Sequence, residues 1–553
     1  MTSEHAARTD AEVDVLVVGA GFAGMYMIHK ARSMGLTVHA IEAGGDVGGT
    51  WYWNRYPGAR CDVESLDYSY GFSPELLEEW TWSERFAAQP EILRYIDHVA
   101  DRFDLRSDIE FDTRVTSAHF DDATDRWAVG TDTGSTWTAR FCVMATGCLS
   151  LSYVPPFAGL DRFEGRTLHT GRWPHEPVDF TGQRVGVIGT GSSGIQVIPE
   201  IARQAGELFV FQRTPNFTLP ARNGPVSEAL LAERMADYAG YKRTALTTTP
   251  SAIGIQHPPL GDAASAAQPD EREAEFERRW DIGGNILLGA YRDVLLDADS
   301  NELVGEFVRR KIRSIVHDPD VAALLSPTDH HIGTKRICVD TDYYETFNRP
   351  NVRLVDVRSD PIEGFSETAL VTAGHRYDLD VVVFATGYDA MTGPLMNIDV
   401  RGRGGVGIAE TWEHGPATYL GLGVHGYPNL FIVAGPGSPS VRVNVIAAIE
   451  QHVDWIGDCI AHLEAQGIAT IEPTAEAQDG WVRHVADLAD ATLFGGSSSW
   501  YSGSNIDGKP RVFAPYVGGM PAYIAECDAV VAAGYAGFTA AGDTAKVPAG
   551  TPR

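Results

Sequence analysis

The chain has 553 residues, enough for roughly three to four domains, and 44% of them are hydrophobic and 21% charged. These proportions are those of an ordinary globular protein with material for several cores. The formal net charge of −30 argues against nucleic acid and anionic membranes as partners, because both repel a strongly acidic surface.

The composition also indicates where the protein acts. No stretch approaches about 18 uninterrupted apolar residues, and the polar segment from Met1 to Val13 lacks the basic and apolar runs of a signal peptide. The six cysteines form no C-x-x-C pair, so neither a metal site nor a disulfide framework is expected. We predict a soluble cytoplasmic protein, either a monomer or a small homo-oligomer.

The first predicted element is a strand that leads into a glycine-rich turn. The apolar run from Asp14 to Val18 is typical of a buried parallel strand, and Gly19-Ala20-Gly21-Phe22-Ala23-Gly24 follows at once. A helical pattern from Met25 to Met34 and a second strand from Thr37 to Ile41 come next, and that strand ends in Glu42. The order of these parts is that of a dinucleotide-binding unit.

Each polar or glycine position of this unit has a physical role. Gly19 makes the turn, Gly21 lets the backbone approach a pyrophosphate, and Gly24 lets the helix pack on the strand. Glu42 is placed to accept hydrogen bonds from a ribose. We predict that the unit binds FAD; the alternative is a chance G-x-G-x-x-G.

An aromatic and arginine-rich stretch follows the turn, from Gly48 to Asp62. It holds Gly49, Thr50 and Trp51 among glycines, a proline and further aromatics. Aromatic and arginine side chains on such a backbone suit packing against a flat, polar cofactor better than they suit a regular element. The alternative is a tryptophan-rich loop that only closes a core.

A second dinucleotide unit begins with the strand from Arg184 to Ile188. Its turn contains Gly189, Gly191 and Gly194, and a helix to about Gln204 and a strand from Glu207 to Phe211 follow. That strand ends in Gln212-Arg213-Thr214 rather than in a carboxylate. A guanidinium at this position suits a 2′-phosphate, which predicts NADPH as the ligand, although Arg213 could also be a surface arginine.

Two strands that end in Ala-Thr-Gly, Arg140 to Gly147 and Asp380 to Gly387, divide the chain into domains. Each can return the chain to a nucleotide-binding sheet and pass it to the other domain. We predict an α/β protein with two Rossmann-like domains, the second inserted in the first. The FAD domain comprises residues 1–148 and 388–553, and the NADPH domain residues 149–387.

Within the NADPH domain, residues from about 225 to 330 are predicted to form a helical insertion that covers a substrate cavity. The charged, periodic segments in it predict helices, and the stretch from Thr247 to Gln268 predicts a loop. The predicted helices are Glu228 to Arg243, Asp270 to Trp280 and Asn301 to Val316. The chain before Val13 and after about Ala540 is predicted to be disordered.

Between the two units the sequence reads F-x-G-x-x-x-H-x-x-x-W-P, from Phe163 through Gly165 and His169 to Trp173 and Pro174. Together with the stretch from Gly48 to Asp62 and the two glycine turns, this motif resembles the type I Baeyer–Villiger monooxygenases. The likeness extends to the C-terminal run Gly503-Ser504-Asn505-Ile506-Asp507-Gly508-Lys509. Within the family, the runs from Asn348 to Leu354 and from Ser438 to Ser440 look closest to the phenylacetone and steroid monooxygenases.

The resemblance implies an enzyme with FAD and NADPH as cofactors and with O₂ and a small ketone as substrates. NADPH reduces FAD, and the reduced flavin takes up O₂ as a C4a-peroxide that attacks the ketone carbonyl. The products are an ester or lactone, water and NADP⁺, and the family also implies oxidation of sulfides. The alternative is a flavin monooxygenase that oxygenates nitrogen or sulfur.

The family's catalytic arginine falls on Arg336 and its flavin-side carboxylate on Asp62. An anion in a dry site needs a cation that does not release a proton, which favours arginine over lysine. Lys335, with Arg213 and Thr214, matches the residues that hold the 2′-phosphate. From the residues alone, Arg336 could be a surface base and Asp62 a helix N-cap.

Four further features of the sequence allow more than one role. Trp500 resembles the aromatic residue against the nicotinamide ribose, or it packs in a core. His169 suggests a general base or a structural part of the domain linker. The stretch Ser440-Val441-Arg442 lines the substrate pocket in the closest relatives, where apolar residues are usual. Arg442 there binds a polar substrate group or points to solvent, and Asp507 stands where the family has proline.

Overall fold

The computed structural model describes residues 11–542. Its larger sheet has eight strands, and the alternate residues of its central strands face two different cores. Val15 and Val17 face one core, and Leu16 and Val18 face the other. The order across the sheet is Asp399–Arg401, Val115–Asp121, Arg126–Thr131, Thr136–Met144, Ala11–Val18, Val38–Ile41 and Ile109–Glu110, and Leu430–Ile432 pairs with the end of Thr136–Met144.

The helix that follows the first glycine turn, Phe22–Ser33, is held by the long helix Val445–Gln466. The Tyr26 hydroxyl donates to Asp454 at 2.8 Å, and the Lys30 ammonium lies 3.0 Å from the same carboxylate. The other α-helices on this side are Thr50–Trp53, Pro74–Glu79, Gln89–Arg102, Ala475–Asp490 and Met520–Ala532, whereas Gly393–Met396 and Ile408–Thr411 pack on the opposite core.

The smaller sheet has five parallel strands, and the helix Ser192–Ala202 follows its own glycine turn. The order across the sheet is Val352–Asp356, Glu207–Gln212, Arg184–Ile188, Val381–Phe384 and Arg166–His169. An antiparallel sheet of Ile362–Phe365, Ala369–Thr372 and Arg376–Asp378 packs beside it. Both dinucleotide units therefore have the strand, turn, helix and strand in the predicted order.

The stretch after the first turn differs from the prediction, because Thr50–Trp53 forms a one-turn helix inside it. The backbone N–H of Asn54 donates to the carbonyl of Thr50 at 2.9 Å. The Asn54 side chain donates to the same carbonyl at 2.8 Å, which ends the turn. The aromatic residues of the stretch are thus carried on a helix end rather than on an open loop.

The predicted helical insertion is wrong in one respect, because it does not lie on a single domain. Its first part is two helices, Glu228–Ala236 and Tyr238–Thr248, and Asp237 between them caps the second one by accepting from the Gly240 N–H. The apolar residues Leu231 and Leu246 of these helices pack on the core of the larger sheet.

Buried polar contacts explain why these two helices join the larger sheet. The Arg234 guanidinium donates to Glu64 at 3.0 Å, the Tyr241 hydroxyl to Asp67 at 2.7 Å, and the Lys242 ammonium to Glu450 at 2.7 Å. The remaining helices of the insertion and their neighbours pack on the core of the smaller sheet. They are Pro269–Ile282, Ala298–Ile315, Pro319–Leu325 and Tyr343–Thr346.

Two short strand pairs complete the fold. Thr218–Pro220 pairs in parallel with Cys338–Asp340. This pairing fixes the position of the residues that directly precede Cys338. Thr470–Pro473 pairs with Phe538–Ala541. The predicted disorder before Val13 is wrong for Ala11 and Glu12, which pair with Trp137 and Thr138. The predicted disorder after about Ala540 is likewise wrong for Ala541, which pairs with Thr470, and the rest of the predicted disordered ends, residues 1–10 and 543–553, lies outside the described residues. Within 11–542 there is no helix long and apolar enough to cross a membrane.

Candidate active site

A cavity of about 1750 Å³ lies between the two glycine turns. This volume exceeds the roughly 300–1,000 Å³ of a site for one drug-sized ligand, so it has room for more than one. The predicted site residues that line it are Gly19, Gly21, Glu42, Gly49, Thr50, Trp51, Asp62, Gly189, Gly191, Arg213, Thr214, Lys335, Arg336, Val441 and Trp500. Predicted site residues from both dinucleotide units, which are far apart in the sequence, therefore line the same cavity.

The first glycine of each turn packs on the alanine of an Ala-Thr-Gly strand end. Gly19 has φ +104°, and a Cβ there would lie 2.6 Å from the Ala145 carbonyl oxygen. Gly189 repeats this arrangement, with φ +107° and 2.5 Å to Ala385. A side chain at either position would collide with backbone in a conformation that favours glycine, which explains why both turns begin with glycine.

The remaining predicted glycines allow backbone segments to approach one another closely. Gly24 and Gly194 do not line the cavity, and each instead lets its helix pack closely on the turn. A Cβ on Gly24 would lie 1.8 Å from the Gly19 carbonyl oxygen, and one on Gly194 would lie 2.3 Å from that of Gly189. Gly21 and Gly49 face each other, and a Cβ on Gly49 would lie 3.0 Å from the Gly21 Cα. Bare backbone therefore lines this wall of the cavity, as close approach to a pyrophosphate requires.

Glu42 lies at the end of its strand, with 6% of its surface exposed. Its carboxylate accepts the backbone N–H groups of Ala20 and Gly44, both at 2.7 Å. Burial raises the pKa of Glu42 above its usual value, while these two hydrogen bonds act in the opposite direction. The carboxylate is thereby held rigidly at the cavity wall beside the first turn, where the dinucleotide fingerprint places a ribose.

Arg336 and Asp62 form a bidentate ion pair, although 274 positions separate them in the chain. The guanidinium Nε and Nη2 donate to the two carboxylate oxygens at 2.9 and 2.8 Å. Nη1 donates to the Val441 carbonyl oxygen at 2.6 Å. Such fork geometry fixes both the position and the plane of the guanidinium.

The protonation state of Arg336 follows from its neighbours. Burial by itself would lower the pKa of Arg336, but the Asp62 carboxylate raises it above the usual arginine value. The side chain therefore stays a cation. Asp62 caps no helix in the described chain, so its side chain serves this pair rather than the alternative role of an N-cap.

A second cluster of cations lies at the predicted 2′-phosphate position. Burial lowers the pKa of Lys335, and the neighbouring Arg213 and Arg358 add to this effect while Asp329 opposes it. Arg358 donates to the Thr214 hydroxyl at 3.0 Å and also pairs with Asp329. Three positive side chains close to one another, with a single carboxylate among them, suit a dianionic ligand.

Comparison with known proteins agrees with this arrangement. A family model described as flavin-binding monooxygenase-like matches residues 12–239. A Baeyer–Villiger monooxygenase of Pseudooceanicola batsensis is 42% identical, over 96% of this chain and 97% of that protein. A solved structure of an oxidised steroid monooxygenase bound to NADP is 54% identical, with a TM-score of 0.91 over 96% of this chain and 99% of that one.

The chain belongs to the Baeyer–Villiger monooxygenases. The predicted family, fold class, enzyme class and cofactors are thereby confirmed. A further relative, a phenazine N-monooxygenase of Lysobacter antibioticus, is 40% identical over 95% of this chain and 96% of that protein. High identity in this group is therefore compatible with oxygenation of nitrogen as well.

The F-x-G-x-x-x-H-x-x-x-W-P motif of this monooxygenase connects the two sheets. The Trp173 backbone N–H donates to the Trp53 carbonyl oxygen at 3.2 Å, so the two sequence fingerprints touch. Phe163 is buried beside Gly165, where a Cβ would lie 2.4 Å from the Phe163 ring. The motif thus lies with the smaller sheet, where Phe163 and Trp173 are buried, and it reaches the predicted FAD side through the contact with Trp53.

His169 of the motif does not line the cavity. Its Nδ1 accepts the Gly171 N–H at 2.9 Å, and its Nε2 lies 3.3 Å from the Tyr153 carbonyl oxygen. Burial lowers the pKa of His169, so the ring is neutral at physiological pH. These contacts favour the role in the domain linker over that of a general base.

Trp500 borders the cavity next to a mostly apolar wall that the sequence did not reveal. The members of this wall are Cys148, Leu149, Ala390, Val441, Leu493 and Trp500. Of the three predicted pocket residues, only Val441 lines the cavity. Ser440 is buried behind it, and the Arg442 guanidinium lies over the Phe494 ring, 4.2 Å from its centroid.

Sequence reasoning also missed two polar residues at the junction of the sheets. The Tyr388 hydroxyl donates to Asn54, and both side chains border the cavity of this monooxygenase. Tyr388 directly follows one Ala-Thr-Gly ending, and Cys148 follows the other. The position after that tripeptide was therefore an available signal, whereas nothing local marks Asn54, Leu149 or Leu493.

Proposed function

We propose that this monooxygenase converts a ketone to an ester or lactone, consuming NADPH and O₂ and releasing NADP⁺ and water. The single observation that carries the proposal is the Arg336–Asp62 pair at the cavity between the two glycine turns. A permanent, fixed cation stabilises negative charge that develops on oxygen in a site with little water. It cannot neutralise that charge by giving up a proton.

The glycine turns fit the two dinucleotides, and the residues around them bind and orient. FAD and NADPH, when bound, supply the two electrons and activate O₂ for transfer to the substrate. Of the five N–H donors of Arg336, three are used by Asp62 and Val441. The other two have no partner among residues 11–542 and remain for a ligand.

The wall formed by Cys148, Leu149, Ala390, Val441, Leu493 and Trp500 supports a predominantly apolar ketone. This wall offers no charged side chain, so it favours hydrocarbon over ionic groups beside the carbonyl. We assign the reaction to the cytoplasm, because all six cysteines are free thiols, as expected in a reducing compartment.

We expect the choice of NADPH over NADH to depend on Arg213 and Lys335. Each charge-assisted hydrogen bond to a phosphate contributes about 1.5–3 kcal/mol, so Arg213→Ala and Lys335→Ala should each raise KM for NADPH by roughly ten- to hundred-fold. KM for NADH, which has no 2′-phosphate, should change little. Steady-state kinetics with both coenzymes measure this ratio.

Arg184→Ala is the matched control for coenzyme choice. Arg184 is an exposed arginine at the start of a strand in the same sheet, where it pairs with Asp380 rather than with a cavity residue. Its replacement should leave the NADPH to NADH ratio unchanged. An equal loss with NADPH and NADH in the Arg213 and Lys335 variants would contradict the assignment of these residues to the 2′-phosphate.

N-oxygenation is the second candidate, because a phenazine N-monooxygenase is among the relatives. The discriminating experiment incubates the FAD-loaded enzyme with NADPH and either cyclohexanone or phenazine, followed by mass spectrometry. We expect a product one oxygen heavier from the ketone, formed in step with NADPH oxidation and at least about tenfold faster than any phenazine N-oxide. An N-oxide without lactone would overturn the proposal.

A further inference from the structure

Arg442 lies one residue after the carbonyl that holds the arginine of the proposed site. The Val441 carbonyl oxygen accepts from Arg336 Nη1 at 2.6 Å, and Val441 and Arg442 belong to the single turn Ser440–Arg442. Ser440 is fully buried and has φ +42°, a backbone conformation that a residue with a side chain rarely adopts. Such strain persists only where the surroundings hold it in place.

The Arg442 side chain reaches a different part of the chain. Its guanidinium carbon lies 4.2 Å from the centroid of the Phe494 ring and 5.4 Å from that of Tyr501. Its Nη1 also donates to the Tyr501 hydroxyl at 3.3 Å. Phe494 and Tyr501 flank the segment that ends at Trp500, which borders the cavity.

These contacts decide between the two roles considered for Arg442 from the sequence. The residue does not line the cavity, so its charge does not meet a substrate group there. Nor is it surrounded by solvent, because two aromatic rings and a buried hydroxyl contact it. A cation between rings is a specific attachment, and it gains strength as water is excluded.

We infer that Arg442 is a positioning residue that clamps the segment 494–501 to the strained turn 440–442. Through this contact, the position of Trp500 at the cavity is coupled to the position of the Val441 carbonyl that accepts from Arg336. The inference rests on the proposed function only for the roles of Arg336 and Trp500. The clamp itself is a contact within the chain.

Limited proteolysis tests the clamp without any turnover. Chymotrypsin cuts after Phe494, Trp500 or Tyr501 only when this segment opens, and the cutting rate follows the open population. We expect Arg442→Leu to speed these cuts by about five- to thirty-fold in the FAD-loaded enzyme, with cuts elsewhere unchanged. Arg442→Lys, which keeps a cation, should be cut at a rate between those of the native enzyme and Arg442→Leu. An unchanged cutting rate in Arg442→Leu would overturn the inference.

The control is Arg353→Leu, because Arg353 also places a guanidinium over a phenylalanine ring, 5.8 Å from the centroid of Phe209, but at an exposed position of the smaller sheet. It should leave cutting at 494–501 unchanged. Phe494→Leu removes the ring under Arg442 instead of the cation. If Phe494 and Arg442 act together, cutting after Trp500 and Tyr501, the sites that Phe494→Leu keeps, should be about as fast in the double variant as in each single variant. Additive effects would contradict the clamp.

Kinetics separate the clamp from substrate binding. With the clamp lost, KM for NADPH should rise about three- to tenfold, and more of the electrons should go to H₂O₂, formed from O₂, the two electrons of NADPH and two protons. The rate of flavin reduction at saturating NADPH should not change. If Arg442→Leu selectively lost activity toward ketones that carry a carboxylate, while cutting at 494–501 stayed normal, Arg442 would instead be a substrate-binding residue.

Discussion

Arg336→Ala is expected to abolish ketone oxygenation while flavin reduction by NADPH continues at near the normal rate. Removal of one fixed electrostatic donor typically lowers a rate by ~10²–10³, and Arg336 supplies a full charge in addition. Its two remaining N–H donors would be lost with that charge. Stopped-flow measurement of flavin reduction, together with product analysis by mass spectrometry, separates the two half-reactions.

Arg336→Lys is the sharper version of the same experiment. Lysine keeps a positive charge but cannot form the fork with both Asp62 oxygens and still reach the Val441 carbonyl. We expect oxygenation to stay at least about tenfold below that of the native enzyme, with more H₂O₂ per NADPH consumed. Normal oxygenation in either variant would remove the basis of the proposed function.

Asp62→Ala is expected to have the second largest effect, because it leaves a partly buried guanidinium without its counter-charge. Breaking a buried ion pair costs about 3–5 kcal/mol, and this pair, with its side chains 28% and 17% exposed, should lie below that range. The released Arg336 would also lose its fixed plane. We expect a lower melting temperature and a fall in oxygenation of about tenfold or more, measured by thermal unfolding and product formation.

Asp62→Asn distinguishes charge from shape in this pair. The amide keeps the volume of the carboxylate but presents an N–H group to one of the guanidinium donors. The oxygenation rate of Asp62→Asn should be close to that of Asp62→Ala, whereas its side-chain packing should be close to that of the native enzyme. Asp399→Asn, at an exposed pair with Arg401, should change neither property. Full activity in both Asp62 variants would mean that Arg336 is held by other contacts.

The division of the helical insertion was beyond sequence reasoning. The segment from Glu228 to Arg243 reads as one charged helix, yet Asp237 caps a second helix within it. This segment packs on the core of the larger sheet because Arg234 donates to Glu64 and Lys242 donates to Glu450. Nothing in the local pattern names those partners, because a charged residue looks the same whether it faces solvent or a distant carboxylate.

The two dinucleotide units, by contrast, follow from the amino-acid order alone. A buried strand, three glycines at fixed spacing, a helix and a second strand are local features, and each depends on residues within a few turns of one another. The nature of the residue that ends the second strand, Glu42 in one unit and Arg213 in the other, is local as well. Sequence by itself therefore predicts the ligand class of each unit.

Only the tertiary structure decided how the two units share one cavity. The Arg336–Asp62 pair spans 274 positions, and the contact of Arg336 with Val441 spans 105. Both depend on how two separately folded sheets pack against each other, which no short-range spacing encodes. The position of Arg442 was also decided by the tertiary structure, because the fold brings its guanidinium onto Phe494, which is not a neighbour of Arg442 in the chain.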